Sequence, residues 1–290
     1  GIVIYPGDGD SIEELLRHAD IAMYQVKTMV KDGYYFYDRT IADSSHQKII
    51  LEQNLRDALT QGELEMYYQP QVDADNGNLV GVEALMRWNH PARGLLGAGE
   101  FIPLAEEVGL MIPISDWMLD AVCIDLKKWG ALCDGQFRLS INISPLYIDR
   151  GNFPEKLHET LARHGISPRQ IEVEITESIS IRSPQHAIVQ LDQLCRLGVN
   201  IAIDDFGVGY SSLSYLHKFP IHTIKIDQAF VREIQSEQGH YPIVLAIIAI
   251  AKGLGLRLVA EGVETETQAR YLKQSGCAMM QGYLHHQPMS

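Results

Sequence analysis

From Glu63 to Ser290 the chain alternates short segments of strand-forming residues with longer segments of helical periodicity. The predicted strands are Glu65–Gln71, Leu79–Arg87, Arg138–Ser144, Ile171–Thr176, Asn200–Asp204, Thr223–Asp227, Arg257–Glu261 and Ala278–Leu284. A hairpin-length connection joins the first two strands, which are therefore expected to be antiparallel. The others follow the strand-helix rhythm of a parallel sheet. This order predicts an α/β fold, a TIM-like (β/α)8 barrel with an antiparallel first strand.

Residues 1–62 have a different pattern. Residues 1–40 combine strand-like ends with one amphipathic helix, which begins at a capping box of Ser11 and Glu14. These elements are too few to bury a core, so we predict a small α+β fragment of a larger domain. Residues 41–62 are predicted as a linker helix, or as the first helix of the next domain. Residues 63–290 form the predicted barrel, whose helices are expected at Ile114–Trp129, Phe153–His164, Pro184–Leu197, Ser211–Lys218, Pro242–Lys252 and Glu266–Gln274.

Composition excludes some classes of partner. The 290 residues carry a net charge of −13, which argues against binding a nucleic-acid polymer through basic patches. The four cysteines show no CxxC spacing and are predicted to be reduced thiols of a cytoplasmic domain. The longest apolar run, Ile243–Ala251, is too short to span a bilayer, so no membrane contact is expected from this segment. An anchor elsewhere in a full-length protein stays open.

Two adjacent carboxylates, Asp204 and Asp205, follow the apolar strand that begins at Asn200. Neighbouring side chains of a regular strand point to opposite faces, so the two acids can share one site only if the strand ends at Asp204. Gly207 and Gly209 permit the turn that this requires. Converging carboxylates repel one another, and a divalent cation between them is one interpretation. A pair of acids in a solvated loop is the alternative.

Other polar side chains occur at corresponding places along the strands. They are Glu83, Asn142, Glu174, Lys225, Glu261 and Gln281, in addition to the two aspartates. Each alone could be a satisfied core residue, but the carboxyl ends of parallel barrel strands meet at one rim, where active sites lie. The oxygen-rich set contains no histidine, which favours Mg²⁺ or Mn²⁺ over zinc. Two such ions predict phosphoester hydrolysis, with Arg87 as a phosphate ligand or as part of a surface ion pair.

Glu83-Ala84-Leu85, followed by Arg87, resembles the signature of the EAL family of cyclic-di-GMP phosphodiesterases. The resemblance extends over about Leu51 to Ser290. Further matching blocks are Tyr68-Gln69-Pro70, Phe101–Glu106, Asn142-Ile143-Ser144, Glu174–Ser178, the Asp204 segment, Lys225-Ile226-Asp227, Glu261–Glu264 and Gln281-Gly282-Tyr283. The family implies hydrolysis of cyclic-di-GMP to the linear dinucleotide by two Mg²⁺ or Mn²⁺ ions.

The resemblance also implies a role for each residue. The implied metal ligands are Glu83, Asn142, Glu174, Asp204 and Asp205, with Asp204 bridging the two ions. Lys225 is expected to contact the catalytic water, and Glu261 to act as general base or as a second-metal partner. Glu177 is expected to hold the loop after Asp205 in shape, although a solvated helical face would explain it too. The implied substrate-binding residues are Arg87, Gln69, Asp227, Glu264 and Gln281.

The N-terminal fragment resembles the end of a GGDEF diguanylate cyclase domain, on Ala19–Tyr24 and Tyr35–Asp38. The GGDEF signature is not in this sequence, so cyclase activity is not assigned, and upstream regulatory domains are expected outside it. The family implies a homodimer formed through the EAL domain. Val208, Gly97 and the segment His285-His286-Gln287 depart from the family pattern. A catalytically silent cyclic-di-GMP receptor is the alternative function, although such receptors lack metal ligands or the loop-supporting glutamate and this sequence has all of them. An enzyme inhibited through its upstream domains is a third.

Overall fold

The computed structural model describes residues 1–29, 33–37, 39–130, 137–150, 152–176, 184–208 and 218–290. The chain forms two compact units, Gly1–Gln61 and Gly62–Ser290. The first unit takes in both the predicted fragment and the predicted linker helix, whose separate boundaries stay a prediction. Glu177, Cys133 and nearly all of the predicted Ser211–Lys218 helix lie outside the described residues.

The first unit contains two helices, α1 (Ile12–Met29) and α2 (Arg39–Gln61). Ser11 Oγ accepts a hydrogen bond from the Glu14 amide at 3.2 Å, as the predicted capping box requires. The Glu14 carboxylate accepts its bond from Asp10 rather than from Ser11, at 3.1 Å. The two expected strands are reduced to one parallel bridge between Ile2 and Phe36.

The second unit is a closed barrel. Its strands, with one short strand outside the ring, are β1 (Leu64–Asp73), β2 (Leu79–His90), β3 (Gly94–Gly97), β4 (Arg138–Asn142), β5 (Ile171–Thr176), β6 (Asn200–Phe206), β7 (Thr223–Ile226), β8 (Arg257–Ala260) and β9 (Met279–Gln281). The strand order β1-β9-β8-β7-β6-β5-β4-β2 closes because β2 also pairs with β1. Strand β1 is antiparallel to both neighbours, and the remaining pairs of the ring are parallel. The predicted barrel with an antiparallel first strand is confirmed.

Helices follow the strands around the barrel. They are α3 (Ala98–Glu107), α4 (Met111–Trp129), α5 (Pro145–Arg150), α6 (Phe153–His164), α7 (Pro184–Leu197), α8 (Gln228–Arg232), α9 (Pro242–Leu254) and α10 (Glu266–Ser275). Sequence patterns did not predict β3, α3, α5 or α8. Three of these elements span at most six residues, too few to show a period, and α3 carries an internal proline, Pro103.

The barrel interior is polar and its outer wall is apolar. On β5 all of Ile171 to Ile175 are buried, and successive side chains alternate between the two faces. The apolar members Ile171, Val173 and Ile175 therefore face the helices, while Glu172 and Glu174 point inward. The burial of the apolar wall stabilises a fold whose inward-facing side chains are available for chemistry.

Two further sequence predictions concern the cysteines and membrane-spanning helices. Cys123 and Cys277 are buried free thiols and Cys195 is half-buried. Burial raises the pKa of the Cys277 thiol to about 12, so this thiol is unreactive near neutral pH. Within the described ranges, no helix combines the length and the apolar character needed to cross a bilayer.

Candidate active site

Lys225 lies at the centre of the carboxyl-end rim of the barrel, and its side chain is 1% exposed. Its Nζ lies within ion-pair distance of carboxylates from four other strands or strand ends. The distances are 2.5 Å to Glu174, 2.6 Å to Glu261, 3.2 Å to Asp204 and 3.3 Å to Glu83. We call Glu83, Glu174, Asp204, Asp205 and Glu261 the carboxylate cluster. The strand ends thus bring together the acids that the sequence placed on separate strands.

The charges of the cluster are not balanced. Burial would lower the pKa of Lys225, but the four carboxylates around it hold that pKa well above its ordinary value. Burial raises the pKa of Glu174 well above its ordinary value, and the charges of Glu83, Asp204 and Glu261 raise it further, although Lys225 lowers it. One cation cannot neutralise this many acids, and the site attracts further positive charge.

Glu83 and Glu261 differ in protonation. Burial favours the neutral form of Glu83, but Lys225 and hydrogen bonds from Gln281 (2.6 Å) and Asn142 (2.7 Å) lower its pKa below the ordinary value. Burial and the charge of Asp204 raise the pKa of Glu261 to about 8, in spite of Lys225. Glu83 is therefore an anion near neutral pH, whereas Glu261 exchanges its proton there.

Asp204 and Asp205 share the site through a bulge. Strand β6 continues to Phe206, so the expected strand end at Asp204 is wrong, and the pairing with β7 shifts register between Ile203 and Phe206. Asp205 has a φ of 52°, in the left-handed region that Asp tolerates better than most side chains. The Asp205 amide donates to Asp204 Oδ1 at 3.0 Å. This local reversal replaces the strand alternation that would separate the two carboxylates.

Asp205 is linked to Asp227, the next predicted site residue along the rim. Asp227 Oδ1 accepts a hydrogen bond from the Ala229 amide at 2.7 Å and so caps α8. Desolvation, the charge of Asp204 and a carboxyl hydrogen bond with Asp227 raise the pKa of Asp205 to about 7. Asp205 is thus also able to exchange a proton near neutral pH.

Two groups of carboxylates in the described part of the chain have the spacing of metal ligands. One is Glu83, Glu174 and Asp204, and the other is Asp204, Asp205 and Glu261, with the ligand atoms of each group within 4.8 Å of one another. Asp204 belongs to both groups. Asn142 donates its Nδ2 to Glu83, which leaves its Oδ1 as a further oxygen ligand for the first group. Oxygen-only donors of this kind fit Mg²⁺ or Mn²⁺.

The predicted substrate-binding residues fall into two sets. Gln69 and Gln281 are buried and bonded to each other at 3.0 Å, and Gln281 also donates to Glu83. Arg87 donates to the Met86 carbonyl at 2.9 Å, with its guanidinium 5.4 Å from the centre of the Tyr67 ring. Glu264 is exposed and lies 3.9 Å from Arg232. The structure therefore brings Gln69 and Gln281 to Glu83, whereas Glu264 has an arginine as its neighbour.

One residue of this site was not predicted. Gln71 is 6% exposed, and its Nε2 donates to Gln281 Oε1 at 3.0 Å. The signal available in the sequence was its position two residues after Gln69 on β1, which places both amides on the inward face.

A cavity of about 1160 Å³ adjoins the cluster at Asn142 and Glu174. Apolar side chains such as Leu85, Ile102 and Leu146 contribute much of its lining. The cavity lining also includes three carboxylates, those of Glu106, Glu107 and Asp149. The arrangement suits a ligand with a flat apolar part and hydrogen-bond donors, held beside the carboxylate cluster.

The EAL domain family matches residues 52–288 of this chain. The chain belongs to the EAL family. The sequence blocks that resemble this family contain all five residues of the carboxylate cluster. The barrel brings these five residues together on one rim.

The chain is similar to longer EAL proteins. It is 40% identical over 289 residues to the bifunctional diguanylate cyclase/cyclic di-GMP phosphodiesterase MucR of Pseudomonas aeruginosa, covering 100% of this chain and 42% of MucR. It is 37% identical over 289 residues to the cyclic di-GMP phosphodiesterase NbdA of the same organism, covering 100% of this chain and 37% of NbdA. The chain thus spans about two fifths of the length of these relatives.

Solved EAL structures have the same fold. The structure of the P. aeruginosa MucR phosphodiesterase in complex with c-di-GMP matches with a TM-score of 0.78 and 41% identity, over 82% of this chain and 97% of that chain. The EAL enzyme Bd1971, in its cAMP- and cyclic-di-GMP-bound form, matches with a TM-score of 0.78 and 31% identity, over 98% of this chain and 75% of that chain.

Proposed function

We propose that this chain hydrolyses cyclic-di-GMP to linear pGpG with the help of two Mg²⁺ or Mn²⁺ ions. The observation that carries the proposal is the pair of carboxylate groups joined at Asp204, on the rim where barrel enzymes hold their active sites. The relatives named as cyclic di-GMP phosphodiesterases support the choice of substrate.

Each of the two groups would hold one ion, and Asp204 would belong to both. Glu83, Asn142, Glu174 and Asp204 would bind one ion, and Asp204 and Asp205, with Glu261 beside them, would bind the other. When bound, the ions supply the positive charge that lowers the pKa of water and neutralises phosphoryl oxygens. The unbalanced negative charge of the cluster is the reason that the site would take up two cations rather than one.

Protein side chains would do the rest of the chemistry. The Lys225 ammonium, fixed among its carboxylates, lies where it can stabilise negative charge on an attacking water or on a phosphoryl oxygen. Glu261 exchanges a proton near pH 8 and would serve as general base for that water. Arg87, on the same strand as Glu83, would contact a substrate phosphate.

The cavity beside the cluster would accept a guanine base. Its apolar lining suits the faces of a purine, and its carboxylates can accept hydrogen bonds from the guanine N–H groups. Gln69, Asp227 and Glu264 are proposed to complete the contacts with the nucleotide, as the family resemblance implies. Homodimer formation through the EAL domain and a cytoplasmic location are proposed on the same ground.

The test is hydrolysis of cyclic-di-GMP by the purified chain with Mg²⁺ or Mn²⁺, followed by chromatography of the products. We expect linear pGpG, and we expect both Glu83→Ala and a chelator to abolish it. Binding of cyclic-di-GMP without cleavage in either metal would favour the silent receptor. In that case Val208→Thr tests whether the exposed valine after the Asp pair is responsible.

A further inference from the structure

Three buried glutamines from the first and last strands of the barrel form a chain of hydrogen bonds. Gln71 Nε2 donates to Gln281 Oε1 at 3.0 Å, and Gln281 Nε2 donates to Gln69 Oε1 at 3.0 Å. Gln69 Nε2 then donates to the His286 carbonyl at 3.2 Å. We call Gln71, Gln281 and Gln69 the glutamine chain. All three amides point the same way, so each bond polarises the next.

The middle member of the glutamine chain, Gln281, also contacts a proposed metal ligand. Gln281 Nε2 also donates to Glu83 Oε2 at 2.6 Å, so both of its N–H donors are in use and its oxygen accepts from Gln71. An ionised carboxylate can only accept hydrogen bonds. A rotated Gln281 amide would place its oxygen against Glu83 and lose the bonds to Glu83 and Gln69. On the side of the Gln281 amide away from Glu83, the N–H of Gln71 donates to the Gln281 oxygen and so favours the orientation that keeps both bonds.

The fold leaves room for the Gln71 amide. Gln71 pairs across β1 and β2 with Gly81. A Cβ atom at residue 81 would lie 2.6 Å from the Arg138 carbonyl oxygen and 3.2 Å from Gln71 Oε1. Any larger residue at 81 would therefore displace either the neighbouring strand or the amide of Gln71.

We propose that Gln71 is a positioning residue for metal binding. By donating to Gln281 it holds the amide whose N–H groups fix Glu83, and thereby keeps the Glu83 carboxylate in its orientation for an ion. This inference rests on the proposed function, because Glu83 acts as a metal ligand there. Gln71 itself contacts neither the ions nor the substrate.

The test is the Mn²⁺ affinity of the purified full chain, measured by electron paramagnetic resonance of the free ion. Gln71→Met keeps the approximate volume of the side chain and removes the donor. Loss of a partner that orients a metal ligand costs about 10- to 100-fold in metal affinity, and we expect a value near the lower end. Turnover at limiting Mn²⁺ should fall with the affinity, while the KM for cyclic-di-GMP at saturating Mn²⁺ should stay unchanged.

Thr223→Val is the matched control. Thr223 lines the same small cavity as Gln71, and its buried Oγ1 has no hydrogen-bond partner among the residues that the structure describes. The isosteric valine should leave Mn²⁺ affinity as it is. Gln71→Leu is the second variant, because leucine is uncharged and has no donor for Gln281. It decides the matter if thermal melts in chelator show that Gln71→Met is not folded.

The outcomes separate the two proposals. Weakened Mn²⁺ binding in a folded Gln71 variant, with the Thr223 control unchanged, supports the positioning role. Binding of Mn²⁺ with wild-type affinity by a folded Gln71→Met variant overturns it. If the wild-type chain binds Mn²⁺ but cuts no cyclic-di-GMP, the proposed function fails while the affinity comparison still decides the role of Gln71.

Discussion

The two ends of the barrel interior both contain buried ion pairs, but only the carboxyl end has a surplus of carboxylates around its cation. At the amino ends of the parallel strands, Arg257 lies 3.2 Å from Glu172 and donates to Asn200 at 3.3 Å. At the carboxyl ends, the single ammonium of Lys225 faces four carboxylates. Strand β5 reaches both ends, with Glu172 at one and Glu174 at the other, two residues apart.

The difference separates structural charge from functional charge. A pair of opposite charges satisfies its own hydrogen bonds and needs no ligand. A surplus of buried carboxylates raises the pKa of its members and remains unfavourable until protons or metal ions neutralise it. The rim cluster therefore has the properties of a site that is completed by cations, whereas Glu172 at the amino end already has Arg257 as its partner.

Asp204→Asn should break the rim site with the largest effect. Asp204 belongs to both ligand groups, so the change should lower hydrolysis at least ~100-fold, the upper end of the loss seen for partners that merely orient ligands. In chelator the melting temperature should hold or rise, because one surplus charge is gone. Activity assays and thermal melts of the same samples check this, and a clear drop in stability without metal would contradict the surplus-charge argument.

Glu172→Gln should give the opposite pattern. It leaves the buried part of Arg257 without its anion, and we expect a loss of about 2 kcal/mol, below the 3–5 kcal/mol of fully buried pairs because the Arg257 side chain is 27% exposed. The melting temperature should fall by about 4–8 °C. Hydrolysis per folded molecule and the stabilisation by Mg²⁺ should match the wild type. A changed stabilisation by Mg²⁺ would show that the two ends of the barrel do not act independently.

The stability of the metal-free chain should fall as the pH rises. Burial raises the pKa of Glu261 to about 8 and desolvation raises that of Asp205 to about 7, above the values of the unfolded chain. These groups stabilise the fold fully below the unfolded pKa of about 4 and lose that contribution as the pH rises through their folded values. Melts in chelator between pH 5 and 9 check the trend.

Mg²⁺ should reverse this dependence, because ions bind the deprotonated ligands. Asp205→Asn supplies the control, since removing that carboxyl should flatten the part of the curve between about pH 4 and 7. Identical curves with and without Mg²⁺ would argue against metal binding at the cluster.

The smallest effect is expected at the amino end, from His222. Burial and the charges of Arg257 and Arg138 lower the pKa of His222, whose Nδ1 accepts the Ile201 amide at 3.2 Å. A lowered folded pKa means that stability present above the unfolded value of about 6.5 is lost as the pH falls. With Mg²⁺ present, His222→Gln should reduce the loss of stability between about pH 6.5 and 5. If the variant loses as much stability as the wild type over this pH range, His222 does not contribute to the acid dependence.

The sequence was sufficient for the barrel and for most members of the rim. Period-two alternation on segments such as Ile171–Thr176 predicts both a strand and an inward face, and parallel strands must present their carboxyl ends together. Glu83, Glu174 and Lys225 could thus be grouped before any distance was known. The short elements β3, α5 and α8 could not, because their formation depends on packing against neighbours rather than on a local pattern.

Geometry was needed for the finer features of the site. Asp204 and Asp205 share a site because the backbone of Asp205 is left-handed. The sequence pattern placed the turn at the glycines that follow the two aspartates, and not at Asp205 itself. The sequence placed Lys225 near acids but could not show that four carboxylates contact it. Gln71 carries no signature, because its role depends on which amide hydrogen faces which oxygen across the closing strands.

The pairing of β1 with β9 has a consequence for the order in which contacts form while the chain is synthesised. Gln69 and Gln281 are 212 residues apart in sequence, and Gln281 and Glu83 are 198 apart. During synthesis, an early strand must wait with one unpaired edge until the last strand has left the ribosome. Contacts of such long range form late, because the entropy of closing the intervening loop opposes them. Glu83 therefore obtains its Gln281 hydrogen bond only after β9 has been synthesised, and a nascent chain short of β9 would lack a completed rim.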